Sequence, residues 1–295
     1  MPSPAKCKES LPCSTTLIQA NKLASHLNDS NWVILDCRHD LLNPTAGSDA
    51  FAAGHIQNAQ FADIDTALSG PKTARGADFT GRHPLPDRNA LLATLRGWGI
   101  NDDTQVVAYD GQGGMFAARL WWLLRWVGHP AVAVLDGGLA AWQAQGLPLV
   151  TPVAPRPIGK LTEKASLTRT VSVQDVVANL ETQALGVIDA RAPDRYRGEN
   201  ETIDPVGGHI PGAKNRFFKD NLQADGRFKN ADELRRDFSA LLDAPQAAVM
   251  QCGSGVTACH NLLALEVAGL PGAALYPGSW SEWCADPARP VATGN

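Results

Sequence analysis

The sequence predicts an α/β protein built from two homologous domains, each a mainly parallel sheet flanked by helices. Three observations predict it. Short apolar runs alternate with helical patterns along the chain, which is the signature of parallel strands covered on both faces. Four motifs return in the same order in the second half, and an ordered repeat marks a duplicated unit. A length of 295 residues gives each copy enough chain to bury a core of its own.

Taken in order, Met1 to Thr16 is polar and lacks an apolar core, so it reads as a tail rather than a signal peptide. Leu17, Ala20, Leu23, Ala24 and Leu27 share one face at helical spacing. Trp32 to Asp36 is an apolar strand that runs into Cys37-Arg38, and a loop then leads to Gly54-His55-Ile56. Leu91 to Gly97 reads as a helix ended by glycine. Gln105 to Tyr109 is a buried strand entering Asp110-Gly111-Gln112-Gly113-Gly114, and Phe116 to Trp126 is a helix apolar on nearly every face. Ala131 to Leu135 is another strand, followed by Asp136-Gly137-Gly138 and a helix through Trp142.

The repeat begins after this point. Leu35-Asp36-Cys37-Arg38 returns as Ile188-Asp189-Ala190-Arg191, and Gly54-His55-Ile56 returns as Gly208-His209-Ile210. Val107 to Ala118 returns as Val249 to His260, which sets Asp110 opposite Cys252. Gly137 to Trp142 returns as Gly278 to Trp283. The expected domains are 17–150 and 168–295, joined by a semi-rigid connector, 151–167, whose Pro-rich stretch starts at Pro148.

Bulk properties narrow the classes. A net charge of −4 supplies no basic footprint for nucleic acid, and no apolar run approaches the roughly 20 residues of a membrane span. Six cysteines without framework spacing suit free thiols in a reducing compartment, and hence a cytoplasmic location. No His/Cys/Asp cluster has metal-ligand spacing and no phosphate-binding glycine motif follows a first strand, so no metal or other cofactor is expected.

The chemistry concentrates in Ala248 to Leu265. An apolar strand ends at Cys252, Gly253 and Gly255 permit a tight turn, and a helix opens near Val256-Thr257. Turn amides and the helix N-terminus there favour a thiolate, which is what a sulfur nucleophile requires. The plain alternative is a buried Cys acting as a small hydrophobe. Asp110 in the first copy cannot carry a persulfide, so that copy is expected to be catalytically silent and to serve as a cleft wall.

Cys252-Gly253-Ser254-Gly255-Val256-Thr257-Ala258 resembles the active-site loop of the tandem rhodanese-like sulfurtransferases, on the side of that family that uses 3-mercaptopyruvate. Thiosulfate-using members typically carry a basic pair where this chain has Gly253 and Ser254. Gly278-Ser279-Trp280-Ser281-Glu282-Trp283 resembles the family's closing signature. The resemblance implies two rhodanese-like domains and sulfur transfer from 3-mercaptopyruvate through a Cys252 persulfide, with a thiol, thioredoxin or cyanide as acceptor. Amides of Gly253, Gly255, Val256 and Thr257 would stabilise the anionic sulfur, Ser254 would relay a proton, and the Thr257 hydroxyl would orient the loop. Arg191 aligns with the family's substrate arginine, and Arg195 is a second carboxylate clamp. His55 matches a first-copy histidine thought to assist the serine, although its recurrence as His209 favours a structural role; Asp49 lies near but does not fit the spacing of a full relay. Two alternatives stay open: thiosulfate as donor, and a non-catalytic sulfur-binding or redox-sensing module. The sequence argues against a Cys-x5-Arg phosphatase, because Ala258 stands where its arginine belongs.

Overall fold

The computed structural model describes residues 13–76 and 78–295. Most of the expected tail, Cys7 included, therefore lies outside the described residues. Cys13 is disulfide-bonded, which departs from the expectation of free thiols, whereas Cys37, Cys252, Cys259 and Cys284 are free and buried.

The chain divides into two compact units. One takes residues through Leu68 together with Asp87–Leu167, and the other takes Ser69–Pro86 together with Thr168–Asn295. The first unit runs β1 (Leu17–Ile18), α1 (Ala20–Ala24), β2 (Trp32–Asp36), α2 (Ala46–Ala53), β3 (Ala59–Phe61), α3 (Arg88–Gly97), β4 (Gln105–Tyr109), α4 (Ala117–Trp126), β5 (Val132–Leu135) and α5 (Gly138–Ala144). Its sheet has the order β1-β5-β4-β2-β3, with every pairing parallel. The second unit contributes β6 (Arg169–Thr170), α6 (Val173–Thr182), β7 (Gly186–Asp189), α7 (Pro193–Arg197), β8 (Lys214–Asn215), α8 (Ala231–Ser239), β9 (Ala248–Gln251), α9 (Thr257–Val267), β10 (Ala274–Leu275) and α10 (Ser279–Trp283). Its sheet order is β6-β10-β9-β7-β8, again all parallel. Strand for strand, the two orders are the same.

Central strands buried on both faces read as continuous apolar runs, and β4 and β9 are buried along their whole length. In the first unit Ile34, Val107, Ala133 and Leu135 of the sheet pack with Leu23, Phe51 and Trp142. In the second, Val187, Val249 and Ala274 pack with Val176, Tyr276, Trp280 and Trp283.

Three expectations change. The helical pattern from Leu17 splits, because Leu17 and Ile18 pair with Val134 and Leu135 as a two-residue edge strand too short to show a period. Residues 151–167 do not run free between domains: Gly159, Leu161 and Lys164 donate backbone hydrogen bonds to Arg96, Ile100 and Val127, laying the segment on the first unit. Ser69–Pro86, which lies inside the expected first domain, belongs to the second unit. Gly81 makes that possible. It has φ +103°, and a Cβ there would stand 2.8 Å from the Gly278 carbonyl oxygen.

Candidate active site

Cys252 follows the last residue of β9 and is 2% exposed. The segment around α10 fixes its loop. The Cys252 N–H donates to Ser279 Oγ, while the carbonyls of Cys252 and Gly253 accept from the Trp280 and Ser281 amides at 2.9 and 3.0 Å. Ser279 takes a left-handed φ of +54° to offer its hydroxyl, a local cost that the surrounding bonds offset. Gly255 has φ +75°, and a Cβ there would collide with the Pro277 carbonyl oxygen. Only glycine fits that turn.

The first copy shows what such a turn can hold. Asp110 Oδ1 accepts from the Gln112 and Gly114 amides, and Oδ2 accepts from the Phe116 and Ala117 amides, at 2.8–3.0 Å. The loop of the first unit is thus an anion nest filled by its own carboxylate. In the second unit the residue at that position is a cysteine, whose sulfur can carry a second sulfur into the corresponding space. Val256 occupies the N-cap of α9 with no side-chain cap, and Thr257 is the first helical residue. Thr257 therefore offers a backbone amide to the turn, not the capping hydroxyl expected of it.

Ser254 is 6% exposed and its Oγ lies 2.7 Å from Nδ1 of His83. This is the serine–histidine pair that sequence reasoning sought, but the histidine is His83 and not His55. His55 belongs to the first unit, fully buried, with its ring stacked on Phe51 and Nδ1 donating to the Phe51 carbonyl at 2.8 Å. His209 repeats the device on Tyr196. Each ties its loop to the preceding helix, α2 through Phe51 and α7 through Tyr196.

Arg191 is also corrected. Its guanidinium is 1% exposed, pairs with Asp189 at 2.6 Å, donates to the Gly208 carbonyl at 2.7 Å and lies over the Trp280 ring. Burial opposes its charge, yet Asp189, Glu201 and Cys252 hold its pKa above the usual arginine value. Arg38 makes the same pair with Asp36 and the Gly54 carbonyl in the first unit. An arginine committed in both copies holds the strand end. It is not free to bind a donor, although it places a positive charge beneath the cysteine.

The arginines over the loop are Arg195 and Arg82. A Cβ on Gly253 would meet Arg82 Nη2 at 2.8 Å and the Arg195 guanidinium nitrogens at 3.7 and 3.9 Å. Arg195 is gripped by both oxygens of Glu201 at 2.8 and 3.0 Å. Burial pushes the Glu201 carboxyl up, but Arg195 and the Asp204 and Ile203 amides bring it below its ordinary value. Arg82 pairs with Asp204, and its amide donates to Ser281 Oγ. Arg82 and His83 are adjacent in the segment between β3 and α3, so one stretch brings a guanidinium and an imidazole to the loop. The available signal was the Arg-His dipeptide in a Gly/Pro-rich stretch, which no periodicity picks out. Cys259 packs back on the turn, its Sγ 3.3 Å from the Gly255 carbonyl. Among the described residues no group of His, Cys, Asp and Glu is arranged to hold a metal, and no helix is long and apolar enough to cross a membrane.

Comparison with known proteins agrees with this architecture. The family model for the rhodanese-like domain matches twice, at residues 19–145 and 172–286. A probable 3-mercaptopyruvate sulfurtransferase of Pseudomonas aeruginosa is 47% identical over 285 residues, covering 96% of this chain and 99% of that protein. A putative thiosulfate sulfurtransferase of Mycobacterium tuberculosis is 39% identical, covering 94% and 97%. The solved 3-mercaptopyruvate sulfurtransferase of Leishmania major superposes with a TM-score of 0.80 at 32% identity, over 91% of this chain and 74% of that one. With both units matched and the turn of the second intact around its cysteine, the chain belongs to the rhodanese-like family as a tandem of two such domains.

Proposed function

We propose that the protein is a sulfurtransferase that moves sulfur from 3-mercaptopyruvate, through a persulfide on Cys252, to a thiol or cyanide. The observation that carries this is the pair Arg82 and Arg195 standing over Gly253, next to the cysteine. Two guanidinium groups there suit a donor carboxylate, and hold the donor's sulfur within reach of Cys252. The relatives named for 3-mercaptopyruvate support the same donor.

Each step follows from a group in place. The Cys252 thiolate attacks the donor sulfur, an S–S bond forms, and the C–S bond breaks with its electron pair leaving as the enolate of pyruvate. That carbanion needs a proton, and Ser254 with His83 behind it forms the route. Loop amides and the N-terminus of α9 stabilise the persulfide anion as they stabilise the thiolate. An acceptor thiol, thioredoxin among the candidates, then takes the outer sulfur and restores the thiolate. Such a cycle suits the reducing cytoplasm. Thiosulfate is the second reading, favoured by the Mycobacterium tuberculosis relative and by the cationic groups above the loop.

Intact mass after brief exposure to each donor tests the proposal. Mercaptopyruvate should add the mass of one sulfur to the wild type and nothing to Cys252→Ser. Loading by thiosulfate alone would move the donor assignment, and loading by neither would remove the catalytic reading.

A further inference from the structure

Asp204 is an acid where donor anions would bind, and the donor reading alone does not explain it. Its side chain is fully buried, an expensive place for a carboxylate unless cations surround it. They do. Oδ1 accepts from Arg75 at 3.2 Å and from Arg82, and Oδ2 lies 3.7 Å from Arg195 Nη2 with no hydrogen bond of its own. Glu201, 3% exposed, holds Arg195 on its other side and accepts from the Ile203 and Asp204 amides, which fixes the turn that aims Asp204. Arg191 beneath pairs chiefly with Asp189 at 2.6 Å and only distantly with Glu201 at 3.4 Å. In the cluster itself three guanidinium groups face two carboxylates, leaving one positive charge in excess.

We propose that Asp204 is the specificity-determining residue of the donor site: it ties Arg75, Arg82 and Arg195 into a cluster with one surplus positive charge, matched to a mono-carboxylate donor over dianionic thiosulfate. This rests on the donor reading above. A donor with one carboxylate neutralises the surplus, whereas thiosulfate brings a second negative charge against buried acids, and charge mismatch at close range is what separates competing ligands. Asp204 acts through the arginines and does not itself touch the donor.

The test compares kcat/KM for 3-mercaptopyruvate and thiosulfate in the full-length wild type, Asp204→Asn, Asp204→Glu and Arg75→Met. Removing one buried negative charge should raise the thiosulfate-to-mercaptopyruvate ratio by at least about tenfold in Asp204→Asn, the size of a unit charge acting across about 12 Å at an effective dielectric constant near 20. Arg75→Met should move the ratio the opposite way, and Asp204→Glu should keep the ratio of the wild type. A merely structural role would lower both donors together and leave the ratio still. An unchanged ratio in Asp204→Asn, or shifts of the same sign in Asp204→Asn and Arg75→Met, overturns the proposal. If Asp204→Asn does not fold, the sign of the Arg75→Met shift decides alone. Intact mass of the wild type separates the two levels. No sulfur gained from mercaptopyruvate removes the donor reading and this inference with it, whereas sulfur gained with an unmoved ratio removes only the role of Asp204.

Discussion

Ser254 and His83 lie 171 residues apart in sequence and 2.7 Å apart in space, and the donor chemistry gives that contact a specific test. Breaking the C–S bond of mercaptopyruvate leaves a carbanion that must be protonated, whereas thiosulfate releases sulfite, which leaves without a proton. His83→Ala should therefore lower kcat with mercaptopyruvate by ~10²–10⁴, the usual range for a lost acid–base group, and lower it far less with thiosulfate. Ser254→Ala should resemble it, and the double variant should be little worse than either, because groups in one chain of proton transfer are not additive. Equal losses with both donors would assign the pair to positioning the loop. The histidine was not legible beforehand because the sequence shows types and periods, and His83 has neither: it sits in an irregular stretch. Arg191 shows the converse. Arg38 stands at the same place in the copy without the cysteine and makes the same bonds, so repetition itself was the sign of a structural arginine.

At the level of elements, the turn from Cys252 to Val256 joins β9 to α9 with two glycines that serve different ends. Gly255 answers to the backbone, since its positive φ and the Pro277 carbonyl leave no room for a side chain. Gly253 answers to the site, because the space its Cβ would take belongs to Arg82 and Arg195. The two substitutions should separate. Gly255→Ala should destabilise the protein by about 1–3 kcal/mol, the cost of forcing a strained backbone, seen as a lower melting temperature. Gly253→Ala meets only the movable end of an arginine, so the melting temperature should hold while the KM for mercaptopyruvate rises several-fold as the clamp is displaced. A Gly253→Ala enzyme with unchanged KM would place the donor elsewhere. The strand–turn–helix unit itself was legible because it is local: apolar strand, glycines and helix are consecutive in the chain. Ser69–Pro86 was not, since its place is set by contacts such as Arg82 with Asp204 and Gly81 with Gly278, all far apart in sequence.

For the molecule as a whole, the repeat was the most legible feature, and its two sheets share one strand order. Parallel strands need crossover connections, here mostly helices, and the same motifs in the same chain order go with the same strand order in both copies. The short edge strands β1, β6 and β8 escaped because two residues carry no period. The repeat also sets the copy that carries the cysteine beside the copy that carries Asp110. Replacing Asp110 by a cysteine puts a thiol on the first unit's turn, but Gln112 stands there in place of Ser254, and Ala50, which precedes Phe51 as Arg195 precedes Tyr196, carries no charge. Asp110→Cys in a Cys252→Ser background should therefore gain no sulfur from mercaptopyruvate by intact mass. The same change removes the acceptor of four amide hydrogen bonds, three of them buried, and should lower stability by about 3 kcal/mol or more, since each buried donor left unpaired costs about 1–3 kcal/mol. Sulfur gained by this double variant would mean that the turn alone suffices and that the arginines, serine and histidine around Cys252 only refine it. Failure to gain sulfur with the fold retained would mean that the anion nest is common property of both copies, and that the chemistry lies in the side chains the second unit gathers over it.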